Sequence, residues 1–334
     1  MKAVDLIGYR LKRDLFTRGG LLLVAENTIL TESHVQAINN YGMVVSEQDV
    51  ELASEKTNGG LVYRATEEIR EVFQHIRSTG DLPMEELQTN IIPTIHHATE
   101  FPNLYSVLSG LQAKDDYTYR HNIGVAVIST LIGKWIRLNK EDLDLLTLAA
   151  TLHDVGKIKI SDAILNKPGK YTDEEYDIMK QHAIFGYELI RQTPNLHPRV
   201  ALVALQHHER EDGCGYPHKV KGEQIDFFSK IVAVADVFHA MTSHRVYKEA
   251  QPFFKVLQQM MADRFGKLDP VITHQFVQRM MEMAIGSQVI LTDGQQGRIT
   301  MIHQEDPISP LIQLGNKYLD LRKYPTIHID QLVG

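Results

Sequence analysis

A single cysteine among 334 residues leaves no intrachain disulfide to form and no thiolate zinc module to build. No run of roughly eighteen apolar residues occurs, so no transmembrane helix and no membrane insertion are expected. The opening stretch, MKAVDLIGYRLKRDL, has no apolar core and no small-residue cleavage site, which argues against a secretory signal. Positive charge is not in excess either. Thirty-five basic and 42 acidic side chains give a formal net charge of -7, so the surface as a whole attracts neither nucleic acid nor an anionic membrane. No basic stripe or base-reading motif is present, and no DNA partner is expected. Internal repeats and low-complexity linkers are also missing. Apolar residues at 43% and charged residues at 23% exclude a mainly disordered, collagen-like or coiled-coil chain. These absences together lead us to expect a cytoplasmic protein of two or three domains.

Histidine is what the sequence has in quantity. There are 16, and nine of them fall between His121 and His244.

Three regions are distinguishable. Residues 1 to about 55 alternate short apolar runs with Gly and Asn. A helix is expected to start near Thr31 and stop at Gly42, with short strands around it. This is a small α+β unit of unknown role. Residues near 60 to 285 carry helical periodicity, with helices expected over Glu67–Arg77, Met84–His97 and Leu104–Ala113 and then in a longer series. Residues 287–334 return to short strands separated by Asp-Gly, Pro and Gly-Asn turns, a small β appendage. The expected fold class is mainly α, flanked by these two smaller units. The outer units are candidates for receiving a signal, docking a signalling protein or completing a homodimer.

The chemistry sits in the helical middle. His121 is in line with Val125, Ile128, Ile132 and Trp135, on a face that should be buried. His153-Asp154 ends an apolar helix that Gly156 should stop. His182 lies on a stripe with Ile178, Phe185 and Leu189. His207-His208 ends another apolar helix, and Asp236 lies in a run of Ala and Val. One buried histidine is ordinarily a core residue with one satisfied hydrogen bond. Several inward imidazoles and carboxylates together are costly unless paired or bound to metal. Helices with inward His and Asp can assemble a metal cluster. Without thiolates the donors suit Fe, Mn, Zn or Ni.

These residues form recognisable motifs. HDVGK (153–157) resembles the signature of HD-superfamily metal-dependent phosphohydrolases. HHEREDGCGYP (207–217) resembles the longer signature of the HD-GYP subfamily, with Gly215-Tyr216-Pro217 intact. The stretches DDYTYRHNIGVAV, DAILNKPGKYTDEEYDIMKQHAIFGYELI and IVAVADVFHAMTSHRVYK are similar to that subfamily in order and spacing. The resemblance covers roughly residues 100 to 285. It implies an HD-GYP helical bundle and a cyclic di-GMP phosphodiesterase that yields linear pGpG, in some members continuing to GMP. It also implies two divalent ions, Fe or Mn before Zn or Ni, held by His121, His153, Asp154, His182, His207, His208 and Asp236. Asp154 would bridge the ions, and Lys157 would sit beside the scissile phosphate. Arg245 and Lys248 match positions that hold substrate phosphate, and Tyr216 would pack on a guanine or pin the loop. Glu209 and Asp212 would orient a ligating histidine or form loop salt bridges.

The chain departs from the pattern in places. Some members carry a Glu one helical turn before the first His, holding a third metal. Tyr117 stands there, so two ions are expected rather than three. Two Asp often found after the VAD motif are replaced by His239 and His244. His239 would perturb or supplement the site, or only line its wall. Lys219 stands where Gly is common. Two alternatives therefore stay open beside the leading one: a phosphohydrolase for another cyclic nucleotide, and a catalytically weak sensor or scaffold that binds the dinucleotide.

Overall fold

Helix starts are set by local side-chain chemistry. Asn139 caps α4 (Lys140–Leu152; α1–α3 are given below) by accepting from the Asp142 N–H, and Glu141 and Asp142 place negative charge at the positive end of the helix dipole. Thr172 and Glu175 close a reciprocal capping box at α5 (Asp173–Lys180). Asp226 caps α8 (Phe227–Thr242), and Asp269 caps α10 (Pro270–Glu282) ahead of a proline in its first turn. The other helices of eight or more residues are α1 (Glu32–Asn40), α2 (Asn58–Thr79), α3 (Tyr117–Trp135), α6 (His182–Arg191), α7 (Pro198–Gln206) and α9 (Phe253–Asp263). This computed structural model describes residues 9–17, 22–26, 28, 30, 32–43, 45–46, 49–52, 58–100, 117–243 and 251–333. The helix expected over Leu104–Ala113 lies outside them, as do Asp115, Asp116, His244, Arg245 and Lys248.

The protein is mainly helical with a small C-terminal sheet, as expected. Helix α3 is its axis. Residues Arg120 to Gly133 are buried without a break, so the helix has no solvent face and the expected one-sided stripe is absent. One of its buried polar groups is satisfied locally: Thr130 Oγ1 donates to the Ala126 carbonyl and lies 2.8 Å from Thr147 Oγ1 on α4. Aromatic edge-to-face packing of Phe238 on Phe276 (5.0 Å between centroids) ties α8 to α10. Burying each such ring contributes about 1.5–3 kcal/mol.

Three sequence expectations change in detail. The stretch Met84–Ala98 is helical but interrupted by a π-turn over Leu87–Ile91. Pro93 lacks the N–H that would bond one turn back, and the ladder widens there. The segment around His182 is two helices broken at Gln181. The break turns Ile178 outward, to 45% exposure, and Met179 inward. Gly156 does not stop α4, which ends at Leu152. It lies within a 3-10 turn over Val155–Lys159.

The N-terminal unit pairs β1 (Tyr9–Leu11) with β4 (Val50–Leu52) and β2 (Leu15–Phe16) with β3 (Leu22–Val24), all antiparallel. Gly42 takes φ +61° just past α1, a left-handed turn at the helix stop expected from the sequence. Leu11, Leu15, Leu30 and Ile38 form a core separate from that of the helices. At the C-terminus β5 (Gln288–Leu291), β6 (Gln296–Met301), β7 (Leu311–Leu314), β8 (Lys317–Asp320) and β9 (Ile329–Val333) form one antiparallel sheet ordered β8-β7-β6-β5-β9. Its Val289, Leu291, Ile299 and Ile312 belong to the same apolar core as the helices.

Candidate metal centre

All seven predicted ligands converge. They are delivered by the ends of α4, α6 and α7, by the second turn of α3 and by the middle of α8. His153 caps the C-terminus of α4, and Asp154 follows it. His182 is the first residue of α6, and His207 caps the C-terminus of α7. His121 and Asp236 lie within α3 and α8. The two oxygens of Asp154 face different groups. Oδ2 lies 3.4 Å from His153 Nε2 and 3.7 Å from His121 Nε2. Oδ1 lies 3.3 Å from His182 Nε2 and 3.7 Å from His207 Nε2. Asp236 spans both groups, with Oδ1 at 3.0 Å from His121 Nε2 and Oδ2 at 3.8 Å from His208 Nδ1. Within each of two sets, His121-His153-Asp154 and Asp154-His182-His207-His208, one donor atom per residue lies within 4.8 Å of the others.

This geometry fits cations. Two donors each about 2.1 Å from one ion stand about 3.0–3.5 Å apart, close to the separations observed. The donors are nitrogen and oxygen only, as Fe, Mn, Zn or Ni sites use. Asp154 Oδ1 and His153 Nε2 are buried and make no hydrogen bond among the described residues, a costly state that a cation would relieve.

Electrostatics keep the donors other than His153 in ligating form. Burial pushes the pKa of His121 and His207 down, and that of His182 down to about 3, so these rings stay neutral. Burial opposes charge on His153 as well, but the adjacent Asp154 carboxylate outweighs it and raises the pKa. Burial likewise disfavours charge on Asp154, yet Lys157 and His153 hold it well below the usual carboxylate range. For Asp236 the His121 hydrogen bond overcomes burial in the same way.

These shifts have a consequence for the metal-free protein. An unfolded histidine titrates near about 6.5. Between that value and about 3 the unfolded chain takes up a proton that folded His182 refuses, so stability falls as pH falls. His121 and His207 act in the same direction. His153, its pKa raised, acts oppositely: it adds stability below about 6.5 that is lost as pH rises through its folded value. His208, its pKa also held down by burial, joins the first three, so four groups oppose one. The urea midpoint of chelator-treated protein should therefore drop between pH 7.5 and pH 5. An equal or higher midpoint at pH 5 would contradict the assignment.

Five of the seven, His121, Asp154, His182, His208 and Asp236, line an open cavity of about 360 Å³. Lys157, carried by the 3-10 turn, forms an ion pair with Asp154 Oδ2 and faces the cavity. Tyr216 lies on the His208 ring, 4.6 Å between centroids and tilted by 30°, so it pins the loop against a ligand while one side lines the cavity. Glu209 does neither thing expected of it: its Oε1 accepts the His218 N–H. Asp212 accepts the Cys214 N–H and shapes the loop, and the exposed Cys214 lies outside the cavity lining. His96 pairs with Asp144 at 2.8 Å, away from the centre. Sequence reasoning missed Tyr171, Tyr176 and Arg210 in the cavity wall, because an exposed aromatic or basic residue on a polar helix or loop has no periodic signal.

Lys219 adopts φ +55°, a conformation that costs a side-chain-bearing residue roughly 1–2 kcal/mol. Lys219→Gly should therefore raise stability by about 0.5–1 kcal/mol after allowing for the freer unfolded chain. Urea denaturation measures it, and a destabilised variant would show that the lysine stem contributes packing instead.

Residues 108–272 match the family model for the HD domain. That stretch, just under half of the chain, is similar to HD domains. The chain is 33% identical to a cyclic di-GMP phosphodiesterase of Pseudomonas aeruginosa over 213 residues, 64% of this chain and 51% of that one. A cyclic di-GMP phosphodiesterase response regulator of Xanthomonas campestris pv. campestris is 45% identical over 144 residues, 43% of this chain and 38% of its own. A 3'3'-cGAMP-specific phosphodiesterase of Vibrio cholerae is 36% identical over 160 residues, 48% of this chain and 35% of its own. The chain thus spans about half the length, or less, of these relatives. A solved HDG"Y"P protein from Bdellovibrio bacteriovorus superposes with a TM-score of 0.56 over 82% of this chain and 96% of its own. At 15% identity that likeness is one of fold. No helix among the described residues is long and apolar enough to cross a membrane.

Proposed function

We propose that this chain is a metal-dependent phosphodiesterase that opens cyclic di-GMP to linear pGpG, with two divalent ions, Fe or Mn, held by the seven converging residues. One observation carries the reading: the oxygens of Asp154 face two separate histidine sets, as a carboxylate shared by two ions must. The curated relatives at 33% and 45% identity named as cyclic di-GMP phosphodiesterases support the substrate. Bound there, the ions would supply Lewis-acid polarisation of the phosphodiester and a water acidic enough to attack near neutral pH.

The chain's own residues do the rest. Asp154 and Asp236 bring negative charge to a pocket that must otherwise admit a dianion, and Lys157 returns positive charge beside them. Its ammonium neutralises charge that develops on the phosphate. Arg245 offers a planar fork for two phosphate oxygens and Lys248 a point charge, both from the segment after α8. Tyr216 holds the His208 ring in place and presents an edge to the substrate.

The test is cleavage of cyclic di-GMP by Mn- or Fe-loaded full chain under reducing conditions, with products separated by chromatography. Linear pGpG is expected, and the same traces read whether a second cut gives GMP. Intact cyclic di-GMP would overturn the proposal. The 3'3'-cGAMP-specific relative favours a second reading, another cyclic dinucleotide as substrate. Preferential cleavage of 3'3'-cGAMP in a substrate panel would replace the first reading with it. Binding without turnover would leave a sensor or scaffold.

A further inference from the structure

Three of the inward imidazoles direct Nδ1 at a main-chain oxygen. His153 Nδ1 lies 2.7 Å from the Ala150 carbonyl, His182 Nδ1 2.6 Å from that of Met179, and His207 Nδ1 3.0 Å from that of Ala204. A carbonyl only accepts. Each Nδ1 therefore carries the hydrogen, and each Nε2 keeps a lone pair for a cation. His121 is built differently. Its Nε2 faces Asp236 and Asp154, but its Nδ1 lies 3.0 Å from Nδ1 of another side chain, His239.

We propose that His239 is a positioning residue for His121: its Nδ1 accepts the His121 Nδ1–H and so presents the bare His121 Nε2 to the cation. The inference rests on the metal-dependent reading above. The two Nδ1 atoms share one hydrogen, and its owner decides the outcome. With the hydrogen on His121, Nε2 is a ligand. With it on His239, His121 Nε2 must carry its own hydrogen, which would point at Asp236 Oδ1 and occupy the lone-pair direction a cation needs.

The surroundings are shaped for this ring. His239 is 2% exposed. A Cβ at Gly124 would stand 2.1 Å from His239 Nε2, so only glycine admits the imidazole there. Gly124 follows His121 by three residues on α3, the same face. Ser243 Oγ reaches His239 Nδ1 at 3.3 Å from the far side. Asp236 and His239 are likewise three apart on α8, so one helix face delivers both a ligand and the group that orients another ligand.

Equilibrium dialysis of Mn²⁺ against the full chain tests the proposal, with elemental analysis for stoichiometry. Wild-type protein should bind two ions. His239→Phe fills the space without an acceptor and should weaken one ion 10- to 100-fold, the usual effect of losing such a partner, while the other is unchanged. His239→Asn places an amide oxygen near the Nδ1 position and should restore wild-type affinity. Gly124→Ala, which displaces His239 while touching no ligand, should reproduce the phenylalanine result. If His239→Phe distorts the fold by circular dichroism, His239→Ala serves in its place. Wild-type affinity in the variants without an acceptor overturns the inference, and so does an asparagine variant as weak as the phenylalanine one. Wild-type protein that binds no Mn²⁺ sinks the metal-dependent reading as well.

Discussion

Asp154→Asn should lower cyclic di-GMP cleavage by at least about a thousandfold and take bound Mn²⁺ from two ions per chain to none. The amide preserves shape and volume but removes both anionic oxygens, each of which faces a different histidine set. Metal polarisation is worth several kcal/mol of transition-state stabilisation, and each 1.36 kcal/mol is a factor of ten in rate. Lys157 also loses its ion-pair partner, so its charge no longer has a fixed position. Turnover, elemental analysis and far-ultraviolet circular dichroism read the three consequences together. Full turnover in a folded, metal-loaded variant would remove Asp154 from the centre of the mechanism.

Gly156→Ala should be the most damaging alanine substitution among the described glycines. A Cβ there would lie 2.0 Å from the His182 carbonyl oxygen and 2.4 Å from the Gly186 nitrogen, both main-chain atoms that cannot swing aside. The 3-10 turn carrying Asp154 and Lys157 and the helix carrying His182 must then separate. Overpacking of this kind costs about 1–3 kcal/mol where side chains can adjust. Here the neighbours are backbone, so about 3 kcal/mol or more is expected in urea unfolding. Mn²⁺ affinity should fall with it, since Asp154 Oδ1 and His182 Nε2 would no longer share an ion. Stability within about 0.5 kcal/mol of wild type, the range of a neutral substitution, would show that the contact yields more readily than its geometry implies.

The ligand residues were legible in the sequence for a physical reason. Imidazoles and carboxylates inside apolar helical runs conflict with burial, and the conflict marks them even before any motif is recognised. Gly156 was legible as important but not for the right cause. Glycine after an apolar helix reads as a stop, whereas its close approach to Gly186 depends on a helix thirty residues later. The Ile178–Met179 exchange was invisible because a single-residue break at Gln181 shifts helical phase without a Gly or Pro to announce it. The stripe through His121 misled in another way, since α3 is surrounded on every side and no periodicity distinguishes one buried face from another. The role of His239 needed the glycine three residues after His121, a pairing across two helices that only the tertiary structure shows.

The shared core of helices and terminal sheet means that the family boundary and the folding boundary differ. The HD match ends at residue 272, in the first turn of α10, and Phe276, Val277, Met280 and Met281 beyond it are buried against the rest. A fragment trimmed to the matched residues would keep every donor to the cations yet strip the hydrophobic backing from α8, which holds Asp236. The position of Asp236 thus leans on helical residues that lie past the recognisable signature and contribute no chemistry themselves.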